Sequence, residues 1–326
     1  MFRFSDGEAM GETRIILLPG QGAHFPGMGR DLLSCTASRF PYYLEAASDY
    51  AGEDLSRLGE DMDSHSFCRS AYIQPLITAI SLAYYALLQD AGVEVDYVLG
   101  HSLGEISALG VAGVLSPEET IETAAFRGIH MDQCAAAVTG GMFVPLFLEY
   151  DTVAEEIRRL GLDKELYIAN INAPQQLVLS GTVRAFDTLA ASLERSHTFR
   201  TKRLAVNGPW HTPFLEEARA AFIEWAPTRT FHDASIPLIM NATGSCEVSA
   251  SVICQRIADQ LVSPVYWGKC LTSAVDFYGC TTVYELGPGG ILKSTLRANG
   301  LQKKITSYHS LSTVEALNRF ITAQEV

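Results

Sequence analysis

Tyr97-Val98-Leu99-Gly100-His101-Ser102-Leu103-Gly104-Glu105 is the stretch on which the reading of this chain turns. Tyr97, Val98 and Leu99 read as a short buried strand. They run straight into Gly-x-Ser-x-Gly, and the apolar residues that follow read as a helix to about Leu115. A serine on so sharp a strand-to-helix turn projects its hydroxyl from the top of a sheet, and small flanking residues, here Gly100 and Gly104, permit the close backbone approach. The amide of the next residue, Leu103, then points to where an oxyanion would develop, and the helix N-terminus adds partial positive charge. The short pattern is common by chance, and a purely structural strand–turn–helix junction meets it too. The strand before it and the helix after it favour a nucleophile.

Outward from this turn, strand and helix signals alternate. Residues 15–18, Ile-Ile-Leu-Leu, read as a buried strand stopped by Pro19 and Gly20. The glycine-rich loop that follows (Gly20, Gly22, Gly27, Gly29) lacks the Gly-Lys-Ser/Thr of a phosphate-binding loop. Apolar spacing predicts a helix over 74–91. Ser116-Pro117-Glu118-Glu119 starts another, with a capping serine, proline at the first helical position and a glutamate completing a capping box; it carries Arg127. From 140 to 203 the order is strand (142–148), helix (152–160), two strands (166–171, 177–180), helix (184–195) and strand (199–205). That β-α-β-β-α-β order is ferredoxin-like. Further strands are read at 236–240 and 282–286, with helices near 213–224, 250–262 and 268–279 and a last one after Gly287-Pro288-Gly289-Gly290. The expectation is an α/β fold. A large subdomain, 14–139 with 204–326, has a mostly parallel sheet covered on both faces. A small ferredoxin-like subdomain, 140–203, is inserted in it, and 1–13 form a loose extension.

Composition narrows the function classes. A net charge of -13 argues against a nucleic-acid partner, because phosphate binding needs a basic field. An acidic partner would need a local basic patch, for which Arg200, Lys202 and Arg203, and Lys293, Arg297, Lys303 and Lys304, are candidates, although any one of them taken singly reads first as a solvated surface charge. The 7 cysteines form no Cys-x-x-Cys pair and are odd in number, which speaks against a disulfide framework or a zinc site. Asp6, Glu8 and Glu12 near the N-terminus do not suit a signal peptide, and the apolar stretches read as too short to span a membrane. These features point to a reduced, cytoplasmic compartment.

A serine hydroxyl needs a base, and the chain has 8 histidines. His101 sits beside the serine on a turn that makes its side chain diverge. His211 lies between an apolar strand and a helix start, where it can enter a sheet-top site. His24, His65, His130, His197, His232 and His309 remain alternatives on spacing alone. The group that orients the base stays open: a backbone carbonyl serves as well as a carboxylate.

The chain resembles the malonyl-CoA:acyl-carrier-protein transacylase family, which includes the acyltransferases of polyketide synthases. The resemblance is carried, in order, by Leu18-Pro19-Gly20-Gln21-Gly22 with Gly27-Met28-Gly29, by Gly100-His101-Ser102-Leu103-Gly104-Glu105, by Arg127-Gly128 with Met131, by Trp210-His211-Thr212-Pro213, and by Gln260-Leu261-x-x-Pro264-Val265-x-Trp267. Residues 170–181 and Tyr284-Glu285-Leu286-Gly287-Pro288-Gly289 also fit, so it spans about 15 to 295. It implies an α/β-hydrolase-like core with a ferredoxin-like insertion, Ser102 as nucleophile and His211 as base. It implies oxyanion donors at the Gln21 and Leu103 amides, and Gln260 beside the site with its backbone carbonyl orienting His211. Asn172 would support the site from the insertion, and Arg127 would pair with the free carboxylate of a malonyl group. Glu105 matches the motif, though helix-start stabilisation explains it more simply.

The implied reaction moves an acyl group from coenzyme A through Ser102 to the phosphopantetheine thiol of an acyl carrier protein, in fatty acid or polyketide biosynthesis, with no metal and no bound cofactor. The pattern departs from the family at Trp210, where phenylalanine is usual, at His24, where glutamine is common, and at Phe143 and Val144, where alanine is common. Trp210 is therefore a candidate for lining or reshaping the acyl pocket, with plain packing as its other reading. A thioester hydrolase of stalled carrier proteins would use the same residues with water as acceptor. A transferase of a different acyl group is also compatible. A non-catalytic carrier-binding scaffold need not keep Ser102, His211 and Gln21 together.

Overall fold

A computed structural model describes residues 12–57, 69–194 and 200–324. Most of the extension read at 1–13, along with His65 and His197, lies outside the described residues. Ten strands form two sheets: β1 Thr13–Leu18, β2 Tyr97–Gly100, β3 Gly140–Leu146, β4 Leu166–Ala173, β5 Gln176–Thr182, β6 Arg200–Arg203, β7 Leu238–Ile239, β8 Cys246–Glu247, β9 Cys280–Leu286 and β10 Ser307–Leu311. The larger sheet has the order β10-β9-β1-β2-β7-β8, and every neighbouring pair is parallel except the last, β7 with β8.

β1 occupies the middle of this sheet and shows why its residues are apolar on both faces. Ile16 and Leu18 point into a core shared with Leu82, Leu103 and Leu109. Ile15 and Leu17 point the other way, into a second core with Trp267, Cys270 and Val283. The register places Leu18 opposite Gly100, so β1 and β2 end together at the top of the sheet.

The helix Ser70–Asp90 fills the first core. By length and composition it is apolar enough to cross a membrane, with a mean hydropathy of 1.4 over its most apolar window, which corrects the expectation that no stretch reaches that length. That window is 89% buried within the protein, so its apolarity is used in packing.

The second sheet has the order β4-β5-β3-β6 with antiparallel neighbours, and the helices Tyr150–Arg159 and Val183–Leu193 close over it around Phe143, Leu177 and Phe186. This is the ferredoxin-like strand order. The structure departs from the sequence reading in several places, among them the unforeseen helix Phe40–Ala51, whose Phe40, Tyr43, Leu44 and Ala47 enter the first core. The strand expected over 236–240 shrinks to Leu238–Ile239, and β10 with the helix Val314–Gln324 extends the fold beyond the last helix foreseen, Lys293–Ala298. β10 reads Ser-Tyr-His-Ser-Leu, an edge strand too polar to register as a buried one.

Candidate active site

β2 ends at Gly100 and the helix Leu103–Val111 begins two residues after His101, so Ser102 takes the whole change of direction, at φ 52 and ψ -106. Such a backbone is rare for a residue with a side chain and persists only where the surroundings enforce it. They do. A Cβ on Gly100 would lie 1.9 Å from the Gly104 carbonyl carbon, and one on Gly104 would lie 2.2 Å from the Leu18 carbonyl oxygen, so both positions demand glycine. Asn241, just past β7, staples the turn: the Ser102 amide donates to its Oδ1 at 2.8 Å, and its Nδ2 donates to the Gly100 carbonyl at 2.7 Å.

His211 also has positive φ, 60, and brings Nε2 to 2.7 Å from Ser102 Oγ. Its Nδ1 lies 2.9 Å from the Gln260 backbone carbonyl. A carbonyl only accepts, so Nδ1 carries the proton and Nε2 presents its lone pair to the serine. Burial, and then the charge of Arg127, hold the His211 pKa far below its ordinary value, at about 3; the Gln260 carbonyl pulls the other way. The ring is therefore neutral and able to accept a proton well into mildly acid solution. We expect acylation of Ser102 not to fall between about pH 8 and pH 5, where an ordinary histidine would lose half its base form near 6.5. Single-turnover loading across that range checks this, and a loss centred near 6.5 would sink it. The same shift has a consequence for stability. Folding takes up the neutral ring, so this contribution is intact above about pH 6.5 and is lost as pH falls toward the folded value.

Arg127 stands on the helix Pro117–Ala136, whose start is fixed by the capping box of Ser116 and Glu119. Gly128 lets that helix close on Ser70–Asp90, since a Cβ there would lie 2.3 Å from the Ser70 carbonyl oxygen. The guanidinium is 2% exposed. Its Nη1 donates to Gln74 Oε1 at 2.8 Å, its Nη2 donates to Gln260 Oε1 at 2.9 Å, and Nη2 stands 3.4 Å from Ser102 Oγ. Burial draws its pKa down to about 10, and Glu105 works against that.

The remaining expected residues gather at the same place. Gln21 forms a single 3-10 turn, Gln21–Ala23, at the end of β1, and its side-chain oxygen accepts from Ser70 and Gln74, each at 3.2 Å. Leu103 is the first residue of its helix, where amides have no carbonyl of the helix to bond. Asn172 accepts from His101 Nε2 at 2.8 Å, and among the described residues its side chain makes no hydrogen bond to Ser102 or His211. Trp210 is buried, and Gly208 makes room for its ring, since a Cβ there would lie 2.4 Å from the indole. Gln260, expected beside the site with its backbone carbonyl toward His211, lies there wholly buried; its side chain also meets Arg127 and the Ser102 carbonyl.

Sequence reasoning missed Gln74 and Asn241, and it gave Glu105 too small a part. Glu105 does stand in the first turn of its helix, but its oxygens accept from the Asn241 amide and from Gln260 Nε2. A glutamine in the middle of an apolar helix was the one available signal for Gln74. A cleft of about 620 Å³ opens over these groups between the two sheets. Met131, Met142, Val178 and Trp210 supply apolar walls, while Lys202 and Arg203 of the exposed β6 stand on its rim.

A parallel sheet ending in a strained serine, with a histidine on its hydroxyl and an arginine in its floor, defines a serine–histidine enzyme of the α/β class. The chain belongs to the acyl transferase domain family, which matches residues 16–314. It is 31% identical over 310 residues to the malonyl CoA-acyl carrier protein transacylase of Staphylococcus aureus, covering 95% of this chain and 99% of that one. Against the enzyme of the same name from Bacillus subtilis it is 28% identical over 300 residues, 92% and 94% of the two chains. Among solved structures, the malonyl-CoA:acyl carrier protein transacylase of Xanthomonas oryzae superposes with a TM-score of 0.88 at 29% identity, covering 96% of this chain and 98% of that one.

Proposed function

We propose that this protein moves a malonyl group from coenzyme A, through an ester on Ser102, to the phosphopantetheine thiol of an acyl carrier protein, as a soluble cytoplasmic enzyme of fatty acid or polyketide biosynthesis. The observation that carries the reading is the relay from the Gln260 carbonyl through His211 to Ser102 Oγ, with the Arg127 guanidinium 3.4 Å from the same oxygen. The names of the relatives support the substrate and the partner.

His211 Nε2 takes the Ser102 proton as Oγ attacks the thioester carbonyl. The Gln21 and Leu103 amides hold the oxyanion, and the helix N-terminus behind Leu103 adds to the field. Collapse breaks the C–S bond, and the departing thiolate takes the proton from the His211 imidazolium. The carrier's thiol then gives His211 its proton and attacks the ester, and Ser102 Oγ leaves with that proton. A neutral carbonyl suffices to orient His211, because it fixes the tautomer without adding charge. Coenzyme A and phosphopantetheine enter as substrates, and the proposed steps use no bound cofactor or metal. Arg127 selects a carboxylated acyl group: a planar fork binds a carboxylate through two charge-assisted hydrogen bonds.

The test is discharge of the loaded enzyme. With a phosphopantetheine-bearing acidic carrier protein, transfer should outrun hydrolysis and should weaken as salt rises, because the attraction to the basic rim is screened. Intact-mass analysis of both proteins reads this. Water discharging the ester faster than any carrier tested would make the enzyme a hydrolase.

A further inference from the structure

Arg127, Gln260 and Glu105 form a bridged pair of charges. Arg127 only donates, and it gives Nη2 to Gln260 Oε1 at 2.9 Å. Glu105 accepts, and it receives Gln260 Nε2 at 2.6 Å and the Asn241 amide on its other oxygen. Gln260 Nε2 also donates to the Ser102 carbonyl at 2.9 Å. Flipping the Gln260 amide would turn its NH2 on Arg127 and its oxygen on the Ser102 carbonyl, so one orientation alone satisfies all three partners. Glu105 is 1% exposed, Arg127 2% and Gln260 0%, and no ion pair within salt-bridge range joins either charge to another among the described residues.

We propose that Glu105 is a positioning residue for the acyl carboxylate: its oxygens fix the Gln260 amide, the amide fixes the Arg127 fork, and its negative charge, one amide away from Arg127, repels the incoming carboxylate. The inference rests on Arg127 being the carboxylate anchor. Both Glu105 oxygens face donors, which is the arrangement of a carboxylate; a neutral acid would turn its O–H on one of them. Burial works against that charge and pushes the carboxyl up to about 8, so it is a charge the site can lose near neutral pH. The other ionisable groups packed around it do not titrate there. Arg127 is held at about 10 and His211 at about 3, burial keeps His101 below its ordinary value, and burial pushes the Cys270 thiol far up.

The experiment measures kcat/KM for loading malonyl-CoA and acetyl-CoA onto the full-length enzyme, whose coenzyme A phosphates cancel in the ratio. At about pH 8.5, Glu105→Gln should slow both reactions yet raise the malonyl-to-acetyl ratio about tenfold, the scale of one like charge removed from a shared site. In the wild type the ratio should rise severalfold as pH falls from roughly 8.5 to 6, and in Glu105→Gln it should stay flat. A purely structural Glu105 would lower both rates equally and leave both ratios unmoved, which overturns the proposal. If the variant does not fold, the wild-type profile decides, and a flat ratio in a malonyl-selective enzyme overturns it. A wild type that takes acetyl as readily as malonyl overturns the Arg127 anchor, and this inference with it.

Discussion

Incubated with malonyl-CoA, the Ser102→Ala protein is expected to keep its original mass, where the wild type gains one malonyl group. The elbow aims this hydroxyl, and His211 Nε2 stands 2.7 Å from it. Alanine keeps the backbone staples of Asn241, which contact the Ser102 amide and the Gly100 carbonyl and not the side chain, so the variant should fold and its failure to load should be chemical. His211→Ala is expected to slow loading by about 10²-fold or more, the usual scale for loss of a general base, and to leave binding of the thioester largely intact. Full labelling of Ser102→Ala would refute the nucleophile, and unchanged loading by His211→Ala would refute the base. The pairing of the two results matters, because a serine merely close to another nucleophile would give the first result partially and the second not at all.

The parts of the fold legible in the sequence are those in which one stretch carries its own constraint. Tyr97 to Gly104 holds strand, turn and helix start in a single run, and its glycines are required by contacts 1.9 and 2.2 Å away that no larger residue escapes. The small subdomain was legible because its alternation of strands and helices is regular, and the observed order β4-β5-β3-β6 follows from it. β10 was not legible, since an edge strand needs few apolar residues, and neither was the shortness of β7, since the apolar run 236–240 says nothing of how many of its residues find a partner.

The site divides in the same way. Ser102 announces itself through a local motif, whereas Arg127, on its helix, reads as a surface arginine until the family resemblance gives it a role. His211 was one histidine among several until the family resemblance singled it out, because its nearness to Ser102 is made by residues 109 positions apart. Gln74 and Asn241 had no local signal of chemistry: each acts through hydrogen bonds to groups far along the chain, 53 and 139 positions away. Glu105 was read as an ordinary helix-start acid because sequence shows its place in the first turn and not the Gln260 amide that meets it from 155 positions on.

Arg127→Ala is expected to lower kcat/KM for malonyl-CoA loading by about 30- to 1000-fold, and to leave acetyl-CoA loading equal or improved. The magnitude follows from removing a charge-assisted bidentate pair, worth roughly 2–4 kcal/mol. The direction for acetyl follows from burial. Arg127 is 2% exposed, and a neutral acyl group entering beside it leaves a desolvated guanidinium with no charge to meet, whereas alanine removes that penalty. Arg127→Lys should fall between, since an ammonium keeps the charge but not the fork that also meets Gln74 and Gln260. Methylmalonyl-CoA should load more slowly than malonyl-CoA in the wild type, because the Trp210 indole lines the cleft next to His211 and an added methyl group would have to fit beside it. Parallel loading assays with the three acyl-CoAs on wild type, Arg127→Ala and Arg127→Lys separate these effects. If the wild type loads acetyl as fast as malonyl and Arg127→Ala changes neither, the arginine serves only to tie Gln74 to Gln260, and the same serine handles a different acyl group.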